Sequence, residues 1–116
     1  MAITIYHNPK CGTSRSVLAV LNETGQVPRV IEYLKTPPSR DELKGLIGKM
    51  GVPVRDVVRW KEPVVAELAL DREKSSDDEL LDAMMAHPIL LNRPIVVTDK
   101  GVKLCRPSET VHELLP

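Results

Sequence analysis

Phenylalanine is missing from this 116-residue chain, and tryptophan occurs once, at Trp60. The core must therefore be built from Val, Leu, Ile, Met and Ala. Cysteine is scarce as well. Cys11 and Cys105 lie far apart and in unlike surroundings, which excludes the disulfide framework of a small secreted domain. Net charge is absent: 16 Lys+Arg balance 16 Asp+Glu. That argues against binding nucleic acid through overall charge, so any basic site must be local. No apolar run approaches a membrane span. The opening "AITIY" alternates like a strand and lacks the basic and apolar regions of a signal peptide. Neither a Gly-rich phosphate loop nor Gly-x-Gly-x-x-Gly occurs. The expectation is one domain, residues 1–116, in the cytoplasm with reduced thiols, engaging no nucleic acid and no membrane.

What is present has a clear order. Residues 2–6 read as a strand, 7–12 as a loop and 13–24 as a helix ended by Gly25, and "RVIEY" at 29–33 as a second strand. A strand-helix-strand unit of this length is the βαβ signature. Ser39 with Glu42, and Ser76 with Glu79, have the capping-box spacing and start two further helices. Gly51 closes the first of these, and Pro88 stops the second. Residues 54–60 and 63–69 read as short helices. "IVVT", a turn at Asp99-Lys100-Gly101 and "VKLC" form a hairpin, and "SETVHELL" a last short helix. Two early strands and a late hairpin predict a four-stranded mixed sheet with helices on it and a helical insertion in the middle of the chain, an α/β fold.

The chemistry concentrates at Cys11, in "HNPKCGTSR". A thiol at a helix start faces backbone N–H groups with no intrahelical partner, here those of Gly12, Thr13, Ser14 and Arg15. The positive end of the helix dipole lies there too. Both favour a thiolate, and the same amides suit an oxyanion. His7 and Lys10 are expected to add positive charge. A buried structural cysteine is the plainer alternative, but so polar a loop is a poor place to bury one. Arg59, Arg93 and Arg106 are candidate anion ligands, because a guanidinium fork matches an oxyanion bidentately. Arg93 and Arg106 each precede a proline, and a cis Arg93-Pro94 bond would bring the chain beside the Cys11 loop. His87 and His112 read as capping or surface residues and Met84-Met85 as core. His7, Cys11, Cys105 and His112 lack zinc spacing, so no metal site is expected.

"ITIYHNPKCGTSRSVL", "YLKTPPSRDEL", "HPILLNRPIVVT" and "LCRPSE" resemble, in the same order and over nearly the whole chain, the glutaredoxin-coupled arsenate reductase family. The resemblance implies a thioredoxin-like fold and an oxidoreductase that turns arsenate into arsenite for arsenic detoxification. It implies Cys11 as nucleophile, His7 and Ser14 as residues that tune its thiolate, and Arg59, Arg93 and Arg106 as substrate ligands together with the Gly12 and Thr13 amides. Phosphate or sulfate would mimic the substrate. No cofactor is bound, and glutathione serves as co-substrate. Glutathione reduces the arsenic adduct, and glutaredoxin then resolves the mixed species left on Cys11. The chain is expected to act as a monomer.

Two rivals accompany this reading. A relative could run the same thiol chemistry on another substrate with glutathione. A regulator of the Spx type shares the fold and binds RNA polymerase, but senses redox through a Cys-x-x-Cys pair. Position 14, where such a pair would have its second cysteine, is Ser14.

Overall fold

A computed structural model describes residues 1–116. The chain divides into two compact units, one formed by Met1–Thr36 with Arg93–Pro116 and the other by Pro37–Asn92.

The first unit holds a four-stranded sheet in the order β2-β1-β3-β4. Its strands are β1 (Thr4–His7), β2 (Arg29–Glu32), β3 (Ile95–Thr98) and β4 (Gly101–Leu104). β1 pairs with β2 in parallel, Ile5 opposite Val30, and antiparallel with β3, Ile5 opposite Val96. The parallel pair needs a crossover, and helix α1 (Gly12–Glu23) supplies it. Residues 2–6 were expected to form the first strand; it begins two residues later and takes in His7. The turn between β3 and β4 uses Asp99 and Lys100, with Gly101 at φ 139, a value open mainly to glycine.

Ile3, Ile5, Val17, Leu21, Val96, Cys105, Val111 and Leu114 form the core of this unit. Val17 and Leu21 stand one turn apart on α1, so a single stripe of the helix covers the sheet. "SETVHELL" forms a 3₁₀ helix, Ser108–Leu114, that inserts Val111 and Leu114. Thr98 Oγ1 donates to the Leu114 carbonyl at 2.7 Å and pins this segment to β3.

The second unit contains α2 (Arg40–Met50), a 3₁₀ turn at Val54–Val57, the single-turn α3 (Val64–Glu67), α4 (Asp77–Ala86) and a 3₁₀ turn at Pro88–Leu90. The full capping box forms at Ser76 and Glu79. At Ser39 only half of the expected box is made: Ser39 Oγ accepts from the Glu42 N–H. Gly51 ends α2 at φ 71, as its placement predicts. The expected helix at 54–60 stops at Val57, because Val58 bridges Leu91 and the Arg59 N–H donates to the Leu90 carbonyl. The expected helix at 63–69 shrinks to one turn, with Ala69 at φ 53 beyond its end. Arg40 forks onto Asp78 and Asp82 and ties α2 to α4. Met84 is buried as expected, and Met85 partly so.

Candidate active site

The loop between β1 and α1 is a set of local hydrogen bonds. The Asn8 carbonyl accepts from the Cys11 N–H at 3.0 Å, and Asn8 Oδ1 accepts from the Lys10 N–H at 3.0 Å. Pro9 sits second in this turn, where its fixed φ fits. Cys11 is thereby the N-cap of α1, with extended backbone at φ −92 and ψ 121. The first intrahelical bond runs from the Arg15 N–H to the Cys11 carbonyl at 3.0 Å. The expected set of open amides therefore loses Arg15, and those facing outward are Gly12, Thr13 and Ser14. α1 has no acidic residue in its first turn to offset them.

Cys11 is half-buried. Burial pushes its thiol up, but the Ser14 N–H and the Arg106 and Arg93 side chains favour the charged form, and the net result lies below the ordinary thiol value. The sulfur closes no capping hydrogen bond by strict geometry. Its stabilisation by the Ser14 amide is thus that of a nearby dipole. Arg106 Nη1 lies 3.5 Å from Cys11 Sγ and donates to the Arg93 carbonyl at 3.0 Å. Arg93 is itself buried. Both Arg93-Pro94 and Arg106-Pro107 are cis; only the first was foreseen. Cys105 donates its N–H to the Pro94 carbonyl at 2.9 Å, joining the two arginine-proline corners.

His7 and Ser14 are bonded to each other at the Cys11 loop. His7 is buried, and Nδ1 lies 2.6 Å from Ser14 Oγ. Burial holds its pKa below the usual histidine value, with Glu32 opposing and Arg15 adding to the effect. The ring is therefore neutral at neutral pH, which corrects the expectation that it adds charge. Ser14 Oγ also accepts from the Asn8 N–H at 3.1 Å. The Ser14 hydroxyl is committed to the loop, and it is the Ser14 amide that favours the thiolate.

The remaining candidates have other settings. Arg59 lies in the second unit, its Nε 3.2 Å from Glu62 Oε1. Trp60 donates to the Arg55 carbonyl at 2.8 Å. Lys10 is exposed. His87 caps the end of α4 and His112 is exposed, as expected. Cys105, which its strand pattern left undecided, is fully buried in the core, and burial pushes its thiol up to about 12.

Comparison with known proteins bears on this arrangement. The model of the ArsC family matches residues 6–114. The chain belongs to the ArsC family. It is 55% identical over 116 residues to an arsenate reductase of Rhizobium meliloti (strain 1021), covering 100% of this chain and 83% of that protein. An Escherichia coli protein named arsenate reductase is 57% identical over 114 residues, covering 98% and 81%. An arsenate reductase structure from Vibrio cholerae superposes with a TM-score of 0.93 at 47% identity, covering 99% of this chain and 98% of that one.

In this ArsC chain, sequence reasoning missed Asn8, which fell unremarked in the loop expected at 7–12. The Asn-Pro pair before a cysteine carried the signal, since asparagine side chains close turns onto the backbone two residues on. The sequence is without the glycine-rich nest that would have advertised an anion site. Arg93 and Arg106 flank the paired strands β3 and β4, and Arg106 Nη1 donates to the Arg93 carbonyl.

Proposed function

We propose that the chain reduces arsenate to arsenite through a Cys11 thiolate, using glutathione and glutaredoxin as the external source of electrons. One observation carries the reading: Arg106 Nη1 stands 3.5 Å from Cys11 Sγ at the head of a helix whose first three amides face outward. Similarity to enzymes named arsenate reductase over the whole chain supports arsenate as the substrate.

The steps follow from the groups present. The amides of Gly12, Thr13 and Ser14, with Arg93 and Arg106, receive the arsenate oxygens. The thiolate attacks arsenic; an S–As bond forms, and one oxygen leaves as water after protonation. A glutathione thiolate then attacks the Cys11 sulfur. The S–As bond breaks with its electron pair passing to arsenic, so As(V) becomes As(III) while Cys11 and glutathione are joined as a disulfide. A glutaredoxin thiolate attacks the glutathione sulfur and frees Cys11. His7 and Ser14 act in this scheme by holding the loop, and Arg59 is the third substrate arginine by resemblance. The enzyme works as a monomer in the cytoplasm, where glutathione keeps its thiols reduced, and binds no cofactor.

The Spx-type reading needs a dithiol in this loop, and the Ser14 hydroxyl is already bonded within it. A reductase for another substrate is separated by assay. Arsenate-dependent NADPH oxidation, coupled through glutathione, glutaredoxin and glutathione reductase, is expected for wild type and absent for Cys11→Ser. Arg59→Ala in the same assay should raise the KM for arsenate. A wild type inert toward arsenate but active on another oxidant would refute the substrate assignment.

A further inference from the structure

Asn8 takes no part in the chemistry proposed above, yet it is buried and committed through three separate groups. Its carbonyl accepts from the Cys11 N–H at 3.0 Å. Its Oδ1 accepts from the Lys10 N–H at 3.0 Å. Its own N–H donates to Ser14 Oγ at 3.1 Å. The bonds reach both sides of the nucleophile, two into the turn that delivers Cys11 and one into the first turn of the helix behind it. We infer that Asn8 is a positioning residue for Cys11, setting the reactivity of the thiolate by fixing where the sulfur stands against the Ser14 amide and Arg106.

The geometry makes the side chain the part that matters. Any residue at position 8 supplies an N–H and a carbonyl. Only the Oδ1 bond closes the inner turn onto Lys10, and that turn orients the peptide units leading to Cys11. Without it, the Asn8 carbonyl has no second restraint to aim it at the Cys11 N–H, and the N-cap geometry at φ −92 and ψ 121 loosens. A sulfur that wanders from the Ser14 N–H and Arg106 loses the interactions that outweigh its burial. The thiol pKa should then rise. Serine closes the same kind of turn through its hydroxyl, though more weakly, and aspartate closes it while placing a negative charge beside the thiolate.

The inference rests on Cys11 being the nucleophile, as proposed above, but not on arsenate being its substrate. Its test is accordingly made on the thiol. The rate of Cys11 alkylation by iodoacetamide is followed from acid to alkaline pH in wild type, Asn8→Ala, Asn8→Ser and Asn8→Asp, each in a Cys105→Ala background and each checked for folding by circular dichroism. Asn8→Ala should move the midpoint of the profile to higher pH and slow alkylation near neutrality by roughly threefold to tenfold, the worth of one ordinary hydrogen bond. Asn8→Ser should fall between Asn8→Ala and wild type. Asn8→Asp should keep the fold but shift the midpoint upward. If Asn8→Ala does not fold, Asn8→Ser and Asn8→Asp decide together, because both side chains keep the turn. A wild-type profile in a folded Asn8→Ala or, failing that, in both Asn8→Ser and Asn8→Asp would overturn the inference. A normal shift in these profiles with no arsenate turnover by wild type would leave it standing and refute the substrate instead.

Discussion

Cys11 is pulled in two directions. Partial burial disfavours its charge, while the Ser14 amide, Arg106 and Arg93 favour it, and the favouring groups win. The thiol should thus ionise below the usual cysteine value of about 8.5, and the nucleophilic form should persist as pH falls until the lowered pKa is crossed. Arg106→Ala removes both a charge 3.5 Å from the sulfur and the bond to the Arg93 carbonyl. Its thiolate absorbance should then appear at higher pH than in wild type. Arg93→Ala should move the same way. In steady-state assays either change should lower kcat/KM for arsenate by roughly tenfold or more, since a charge-assisted hydrogen bond is worth about 1.5–3 kcal/mol. Arg93→Lys should also be impaired, because an ammonium has no fork. Unchanged titration and kinetics in both alanine variants would show that these arginines do not serve the thiolate. His7 makes no such contribution of charge. Burial holds its pKa below the usual histidine value, and its part is to hold Ser14.

Elements with local signals were legible, and those governed by distant partners were not. The Ser76 cap was evident because its acceptor and donor lie three residues apart, and the structure makes both bonds. Ser76→Ala should therefore cost about 1 kcal/mol and lower the melting temperature by about 4 °C, which calorimetry can measure. An unchanged melting temperature would mean that the first turn of α4 frays at no cost. Residues 54–60 tell the opposite story. Their pattern admits a helix, but Val58 is claimed by Leu91, thirty-three positions on, and no window of that size can see such a partner. The Cys11 loop was legible for the same reason that Ser76 was, since its donors and acceptors fall within residues 7–15. What escaped was how the side chains divide the work. Ser14 lends the sulfur its amide, not its hydroxyl. The second cis bond, at Arg106-Pro107, was also missed, because nothing in "CRPS" distinguishes it from a trans turn.

At the scale of the whole molecule, the placement of two cysteines bears on the proposed source of electrons. Chain segments that precede and follow the second unit together build the sheet, so that Arg93 and Arg106 reach a cysteine more than eighty residues earlier. The same assembly brings in Cys105, but into the core beside Ile5, Val17 and Val96. Its thiol is pushed up to about 12 by burial, so at neutral pH it remains protonated and is no nucleophile. With no third cysteine in the chain, an internal relay would have to run through a side chain that water does not reach. This setting of Cys105 supports the proposal that the reducing thiols come from outside. Cys105→Ser places a hydroxyl in the core, at a cost of about 1–3 kcal/mol, so it should lower the melting temperature while keeping most of the activity supported by glutathione and glutaredoxin. Cys11→Ser should remain folded and lose all of it. Mass spectrometry after arsenate and glutathione should find glutathione on Cys11 and none on Cys105. A folded Cys105→Ser with no turnover, or wild-type turnover on thioredoxin alone without glutathione, would mean that the buried thiol swings out to form an internal disulfide. The second step would then have to be rebuilt around an opening of the core.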